Sequence, residues 1–290
     1  MDGIRRIILE QIDSVLDRLS THIEDQDETI HDARRRFKRV RSVLRLVRYE
    51  IGKKNNCREN LCYRDAGRRL SALRNGAVVG QTLEKVIRQF SDQIAVDYLS
   101  DFRRALASSS ALRLRVEGKV ISEVAVSIRA ARRRVTKWPV KGGNFSSLRV
   151  GLKDTYRRGR RSYATTVADP RAENFHEWRK EVCYLRNQVR ILRPIQPDAL
   201  DRLLKELREL EDCLSENHDL DVLRRWFIAV IEKSHDQLHP EPLLALISER
   251  QMELQSMSIP MGERIYLEGP EAFVRRFERY WKKWRSQNSR

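Results

Sequence analysis

The chain contains two runs of mostly basic residues at alternating spacings of three and four residues. The first run extends from His31 to Arg48, and the second extends from His176 to Arg193 with the same initial His-x-x-Arg order. On an α-helix this spacing places all members on one face, so each run predicts a cationic stripe. Guanidinium and ammonium groups in a row can bind successive phosphate groups. The first stripe consists of His31, Arg34, Lys38, Arg41, Arg45 and Arg48, and the second consists of His176, Arg179, Cys183, Arg186, Arg190 and Arg193.

An apolar row accompanies each stripe, one position further back along the helix. Because this apolar row must be buried, the cationic row beside it has to lie at the edge of the packed face. Like charges would then meet where the helices of a bundle pack, and a polyanionic ligand is the simplest means of neutralising them. The two apolar rows are Phe37, Val40, Leu44 and Val47 in the first helix, and Val182, Leu185, Val189 and Leu192 in the second.

The composition indicates a soluble protein with an affinity for anions. Hydrophobic residues make up 40% of the 290 residues, which is enough for a core even though 34% are charged. The net charge of +17 attracts nucleic acids, inorganic polyanions and anionic membranes, and does not choose among them. No apolar run is long enough to span a bilayer, and the charged N-terminal segment is predicted to form an amphipathic helix and not a signal peptide. We therefore expect a cytoplasmic protein.

The residues that commonly perform catalysis or bind metals are not arranged for either role. The four cysteines lack the paired spacing of zinc ligands, so we expect reduced thiols and no metal or other cofactor. His235 and His239 have a helical metal-binding spacing, but Pro240 follows directly and no glutamate completes the site. The sequence also lacks a Gly-Lys-Ser/Thr phosphate loop and a nucleophile spaced to meet a base. It therefore predicts a binding protein and not an enzyme.

Glycine and proline are scarce and alternating strand patterns are absent, so we predict an all-α protein. Breaks between helices are indicated at Gly52, at Trp138-Pro139, at Asp169-Pro170 and at Gly269-Pro270. We predict helices near residues 3–20, 29–52, 61–75, 79–107, 111–137, 145–165, 171–193, 198–216, 219–235, 240–256 and 264–286.

The two halves of the chain look like copies of one unit. Besides the stripes, the run from Arg74 to Val78 parallels the run from His218 to Val222 at nearly the same distance along the chain. Duplicated units commonly pack about a pseudo-twofold axis. We therefore predict two antiparallel helical bundles, residues 1–166 and 167–290, which together form one domain. If both stripes face the axis, they line a central basic cavity.

Four segments in order resemble the CHAD domains, the conserved-histidine α-helical domains. Residues 30–41 (IHDARRRFKRVR) resemble the first signature of that family, and residues 175–180 (FHEWRK) with Leu185-Arg186 resemble the second. Residues 153–161 (KDTYRRGRR) are similar to the basic helix before the second repeat. Residues 207–222 (LRELEDCLSENHDLDV) are similar to the following helix with its His/Arg-Asp turn. The resemblance covers nearly the whole chain.

The resemblance implies two helical bundles around a basic central cavity that binds inorganic polyphosphate. It also implies frequent fusion to a triphosphate-hydrolysing tunnel domain, whose Glu-x-Glu-x-Lys signature is absent, so we expect a stand-alone module. Cys183 and Tyr184 stand where the family usually has basic residues, and Arg74-Asn75 replaces the more usual Arg-Asp. We therefore expect the second stripe to contribute less than the first. A cytoplasmic protein of this kind could associate with polyphosphate granules.

We predict that the chain binds inorganic polyphosphate or a similar polyanion by charge neutralisation, without catalysis. The alternative is nucleic-acid binding through the same surface, but aromatic residues make up only 7% and do not interleave with the stripes, so platforms for base stacking are few. A single basic face is often only solvated surface, and the oligomeric state stays open. A third basic row is predicted in residues 153–160. The candidate polyphosphate-binding residues are His31, Arg34, Arg35, Lys38, Arg41, Arg45, Arg74, Lys153, Arg157, Arg160, His176, Arg179, Lys180, Arg186 and Arg190.

Overall fold

The structure is a computed structural model that describes residues 2–20, 26–90, 114–138, 144–231 and 241–288. Within these ranges every regular element is helical, so the all-α prediction is confirmed. The helices are α1 (Asp2–Ser20), α2 (Gln26–Leu46), α3 (Arg48–Ile51), α4 (Lys53–Gln89), α5 (Leu114–Val135), α6 (Ser146–Ala168), α7 (Ala172–Leu192), α8 (Pro197–Ile231), α9 (Glu241–Ile265) and α10 (Pro270–Asn288), with a short 3-10 helix at Arg193–Ile195.

Most predicted helices are confirmed to within a few residues, but three predicted breaks are wrong. Helix α4 continues through residues 76–78, α8 continues through residues 217–218, and α9 continues through residues 257–263, which include Pro260. Helix α4 also begins at Lys53, ahead of its predicted start at residue 61. A glycine inside a helix destabilises it by about 1 kcal/mol, which the burial of neighbouring side chains such as Val79 and Leu83 outweighs. The part of the predicted helix 79–107 beyond residue 90 lies outside the described residues, as do His235 and His239.

The first cationic stripe is shorter than the sequence predicts, because its helix ends early. Helix α2 stops at Leu46, Val47 is not helical, and Arg48 begins the one-turn helix α3. The predicted break at Gly52 is confirmed, and its backbone φ angle of 79° is one that glycine adopts without strain. The side chain of Arg48 therefore departs from the direction of the stripe and pairs with Asp154 of α6.

Helices α2 and α7 pack against each other in the centre of the molecule. Their apolar rows are buried as predicted, for example Val40 on α2 and Val189 on α7. The buried amide of Gln188 donates to the carbonyl oxygen of Ser42 at 3.1 Å and to Oγ1 of Thr155 at 3.0 Å. This side chain therefore joins α7 to α2 and to α6. The rotation of both striped helices is fixed by these contacts.

Helix α6 crosses the end of α2 at a very short distance. A Cβ atom on Gly151 would collide with the carbonyl oxygens of Arg45 and Leu46. Only a residue without a side chain permits this approach. The close crossing holds the C-terminal turn of α2, and with it Arg45, in a fixed position.

Helices α4 and α8 lie outside α2 and α7 and meet each other through their C-terminal halves. A hydrophobic cluster joins Val79, Leu83 and Val86 of α4 to Leu220, Leu223 and Phe227 of α8, and α9 packs against the same cluster. Helix α4 also packs on α2, and α8 packs on α7. The four helices α2, α4, α7 and α8 therefore enclose a space between them.

The two predicted repeats share one hydrophobic core. A single cluster of buried residues contains Phe37 and Leu44 of α2, Trp178 and Leu185 of α7, and Phe277 of α10. The pseudo-twofold relation and the boundary between residues 166 and 167 stay predictions. In the described part of the chain, no helix combines the length and the hydrophobicity that crossing a membrane requires.

Candidate anion-binding groove

The space between the four helices holds two adjoining cavities. The wide cavity has a volume of about 630 Å³ and the narrow cavity a volume of about 460 Å³. We call the two cavities together the groove, and the residues that line both of them the waist. The waist consists of Arg34 and Lys38 of α2, Ser71 of α4, Arg179 and Cys183 of α7, and Glu211 and His218 of α8.

Most of the residues that the sequence predicts as phosphate ligands line this groove. Arg34, Lys38 and Arg179 are at the waist. The wide cavity is also lined by Arg41, Arg45, His176 and Lys180, and the narrow cavity is also lined by His31, Arg35 and Arg186.

Four predicted residues lie elsewhere. The exposed Arg190 lines neither cavity. Lys153 forms an ion pair with Glu271 of α10 at 2.5 Å. Arg157 and Arg160 line a separate cavity on the outer side of α6. The side chain of a fifth predicted residue, Arg74, lies outside the described residues.

The structure also places cations in the groove that the sequence interpretation missed. Arg64 and Arg68 of α4 line the wide cavity beside Ser71. Their spacing of four residues, followed by three to Ser71, is a helical-face signal that could have found them. The remaining additions are Arg39 and Lys85 in the narrow cavity and Arg158 in the wide cavity.

Two cations at the waist form no ion pair among the described residues, although the charge of Glu211 acts on both and that of Asp219 acts on Arg179. Lys38 forms no hydrogen bond or ion pair there, although its side chain is open to the solvent of the groove. The surrounding protein removes much of its hydration, and this desolvation lowers its pKa, as does the nearby charge of Arg179. Nε of Arg179 is buried without an acceptor, and desolvation likewise lowers the pKa of its guanidinium. An anion at the waist would satisfy both groups.

Other arginines of the groove are held in place by neighbouring side chains. The guanidinium of Arg45 lies 3.7 Å from the ring centroid of Tyr184 and donates to both carboxylate oxygens of Glu181, at 3.0 and 2.8 Å. Arg41 lies 5.6 Å from the same ring and donates from Nε to Asn60 at 3.0 Å. Tyr184 therefore orients cations of the facing helix.

Two histidines meet at the edge of the wide cavity. Nδ1 of His176 and Nδ1 of His218 are 3.2 Å apart, so one ring donates its proton and the other accepts it. Desolvation, followed by the charge of Arg179, lowers the pKa of both rings, that of His218 to about 2. Both rings are therefore neutral in the free protein at pH 7.

The thiol of Cys183 is also neutral at pH 7. Burial raises its pKa to about 11, with a further contribution from the charge of Glu211. The thiol therefore offers no counter-ion to Lys38, with which it lines the waist. In the ranges that the structure describes, no group of three or more His, Cys, Asp or Glu side chains could hold a metal ion.

The lining of the groove is divided by charge. Its carboxylates all come from α7 and α8, in the second half of the chain, among the lining residues that are described. Three of them pair with cations of the groove: Glu181 with Arg45, Glu211 with Arg186 at 2.6 Å, and Glu177 with Lys180. The lining carboxylates are Glu177, Glu181, Glu211, Asp212 and Asp219.

The groove coincides with the part of the chain that a known family covers. The family model described as CHAD domain matches residues 6–227, which include all of α2, α4 and α7 and nearly all of α8. A comparison with curated proteins gives no match. The resemblance inferred from the sequence motifs is confirmed. The chain belongs to the CHAD domain family.

Proposed function

We propose that this chain binds inorganic polyphosphate in the groove and does not alter it chemically. The observation that carries the proposal is the waist, where Lys38 and Arg179 form no ion pair among the described residues, Nε of Arg179 lacks an acceptor, and both groups are partly desolvated. Partly desolvated cations favour a partner that brings several negative oxygens at once. The CHAD resemblance implies the same ligand. The proposal extends to a cytoplasmic protein that can associate with polyphosphate granules.

The shape of the groove supports a chain-like anion over a small one. From His31 to Arg45 the stripe on α2 extends about 21 Å at about 1.5 Å per residue. Cations from α2 and α4 line the wide cavity on one side, and Arg179 and Lys180 line it on the other. A linear polymer of phosphates lying along α2 would meet cations throughout this length. Binding would release the counter-ions of the polymer, so the affinity should fall steeply with added salt.

The aromatic rings of the groove argue against nucleic acid as the preferred ligand. Tyr63 is fully buried and Phe37 is 2% exposed, so neither presents a face to the groove. The ring of Tyr184 is 5% exposed and the guanidinium of Arg45 lies over it. Nucleic acids bound as single strands gain about 1–3 kcal/mol for each base that stacks on an accessible ring. Among the described Phe and Tyr residues of the lining, no ring is free to supply that stacking.

A competition experiment tests the proposal. Labelled long-chain polyphosphate would be bound to the protein and displaced by unlabelled polyphosphate, single-stranded DNA, double-stranded DNA or RNA, all at equal phosphate concentration and equal salt. We expect polyphosphate to displace the label at a concentration at least about tenfold lower than any nucleic acid, because the nucleic acids gain nothing from stacking. Equal competition by all four polymers would contradict the assigned preference.

A further inference from the structure

A second cationic surface lies on the outer side of α6. Arg157, Arg160, Arg161 and Ala164 are spaced as one face of a helix and line a cavity of about 480 Å³ between α6 and the end of α9. We call the three arginines the outer rim. Glu263 is the one carboxylate among the described residues of this lining.

The outer rim adjoins the groove through its neighbour in sequence, Arg158. Arg158 lines the wide cavity together with Arg45. At the same end, Arg48 and Arg157 both pair with Asp154, and desolvation together with the charges of Arg158, Arg45 and Arg157 lowers the pKa of Arg48. Positive charge therefore continues from the groove over α6 to the rim.

The charges of this region are only partly neutralised by the protein. Arg157 pairs with Asp154 at 2.5 Å, but Arg158, Arg160 and Arg161 form no ion pair within the described ranges. On the same helix, Arg149 and Lys153 are both paired with Glu271. Arg158, Arg160 and Arg161 are thus the arginines of this helix that stay available for an external anion.

We propose that the outer rim is a second phosphate-binding surface, which takes the part of a long polyphosphate chain that leaves the groove at Arg45 and Arg158. This inference rests on the proposed function of the groove. A chain short enough to stay within the groove would not reach the rim. The surface therefore makes affinity depend on chain length, because a second contact on the same polymer raises the overall affinity.

The test compares two ligands and three proteins. The variant Arg160→Glu/Arg161→Glu changes the charge of the rim, and Arg133→Glu/Lys137→Glu makes the same charge change at exposed positions that line neither cavity of the groove. Each protein, including the unsubstituted chain, is titrated with tripolyphosphate and with long-chain polyphosphate at one salt concentration. Circular dichroism checks that all three retain their helices. If the rim reversal does not retain its helices, Arg160→Gln/Arg161→Gln takes its place among the three proteins.

We expect the rim reversal to raise the Kd for long-chain polyphosphate about tenfold relative to the control variant, with the Kd for tripolyphosphate within about twofold of the control. Equal Kd values of the rim and control variants for the long chain would overturn the proposal that the rim binds phosphate. Equal weakening of both ligands would also overturn it, because it would show a general effect of charge. If the unsubstituted chain binds neither ligand, the groove proposal fails as well.

Discussion

The two halves of the chain line the same groove with opposite charge balances. The charged residues that the first half contributes to the described lining are all cations, on α2, α4 and α6. The second half contributes Arg179, Lys180 and Arg186, which its own carboxylates outnumber. The first-half cations are Arg34, Arg35, Lys38, Arg39, Arg41, Arg45, Arg64, Arg68, Lys85 and Arg158.

This difference shows that two helices with the same stripe spacing need not have the same role. Lys38 and Cys183 occupy equivalent positions in the two stripes and both line the waist, but one is a cation and the other is a neutral thiol. On α7, Tyr184 and Glu181 orient Arg45 of α2. The second half therefore positions charges that the first half supplies. Substitutions in each half, and changes of pH, test this division of roles.

The largest expected effect comes from the first-half variant Arg34→Glu/Arg41→Glu. It places two negative charges on the stripe on either side of Lys38, so we expect a loss of affinity for long-chain polyphosphate of about 100-fold or more. Isothermal titration calorimetry measures the loss, and circular dichroism checks that helicity is retained. Arg133→Glu/Lys137→Glu has the same charge change outside the groove. If that control weakens binding equally, the stripe has no special role.

Introducing a cation on α7 at the waist should raise the affinity for polyphosphate about tenfold. In Cys183→Lys a second ammonium joins Lys38 at the waist, which raises the attraction for a polyanion. The same repulsion and desolvation should lower the free energy of unfolding of the free protein by about 1–3 kcal/mol. Thermal denaturation with and without polyphosphate measures both effects. The control Cys183→Met adds volume without charge and should leave the affinity unchanged.

Removing the carboxylate from the waist should have a smaller effect of the same sign. Glu211 repels an incoming phosphate, so Glu211→Gln should raise the affinity about threefold, whereas Glu209→Gln on the exposed face of α8 should not. Removing the whole ion pair in Arg186→Gln/Glu211→Gln should leave the affinity within about threefold of the original, since the net charge is unchanged. If that double variant lost affinity tenfold, the charges of the second half would contribute more to binding than we propose.

The histidine pair should change the affinity least and should act mainly on the stability of the free protein. Because the pKa values of His176 and His218 are lowered in the folded protein, the unfolded chain binds more protons below its histidine pKa of about 6.5. The free energy of unfolding should therefore fall as the pH drops through 6.5, by up to about 1.4 kcal/mol per pH unit for each ring that stays neutral. Denaturant titrations from pH 7.5 to 5.5 measure the slope, which His218→Gln should reduce.

Bound polyphosphate should act on the same rings in the opposite direction. Cations face them from three helices, Lys38 on α2, Arg179 and Lys180 on α7, and Arg225 on α8, with Glu177 as a nearby carboxylate. An anion among these cations would favour the protonated rings and raise their pKa. Affinity should therefore increase modestly as the pH falls, with proton uptake that calorimetry in buffers of different ionisation enthalpy detects. A rise in affinity with increasing pH would contradict this role.

The sequence predicted the striped helices well because their spacing is local information. The rows on α2 and α7 follow from the helical period, and burial of Val40 and Val189 confirms which side packs. The continuation of α8 through His218 could not be predicted from the turn-like Asn-His-Asp sequence. It depends on contacts made in the folded chain, among them the packing of His218 against His176.

The third basic row shows the limit of the same reasoning. Lys153, Arg157 and Arg160 do share a side of α6, but periodicity alone does not fix which neighbour that side meets. The crossing at Gly151 and the pairing of Lys153 with Glu271 orient the helix, and Arg158 is the residue that lines the groove. Arg64 and Arg68 show the same limit, since their spacing marks one helical face but only the position of α4 beside α2 places that face in the groove.

The most direct test of the account is a crystal structure of the protein grown with polyphosphate, because it locates the ligand itself. We predict density for a phosphate chain along α2, with phosphate oxygens within hydrogen-bond distance of Lys38 and Arg179, neither of which forms an ion pair among the described residues. Density that leaves the waist empty while a phosphate chain occupies another face of the molecule would contradict it.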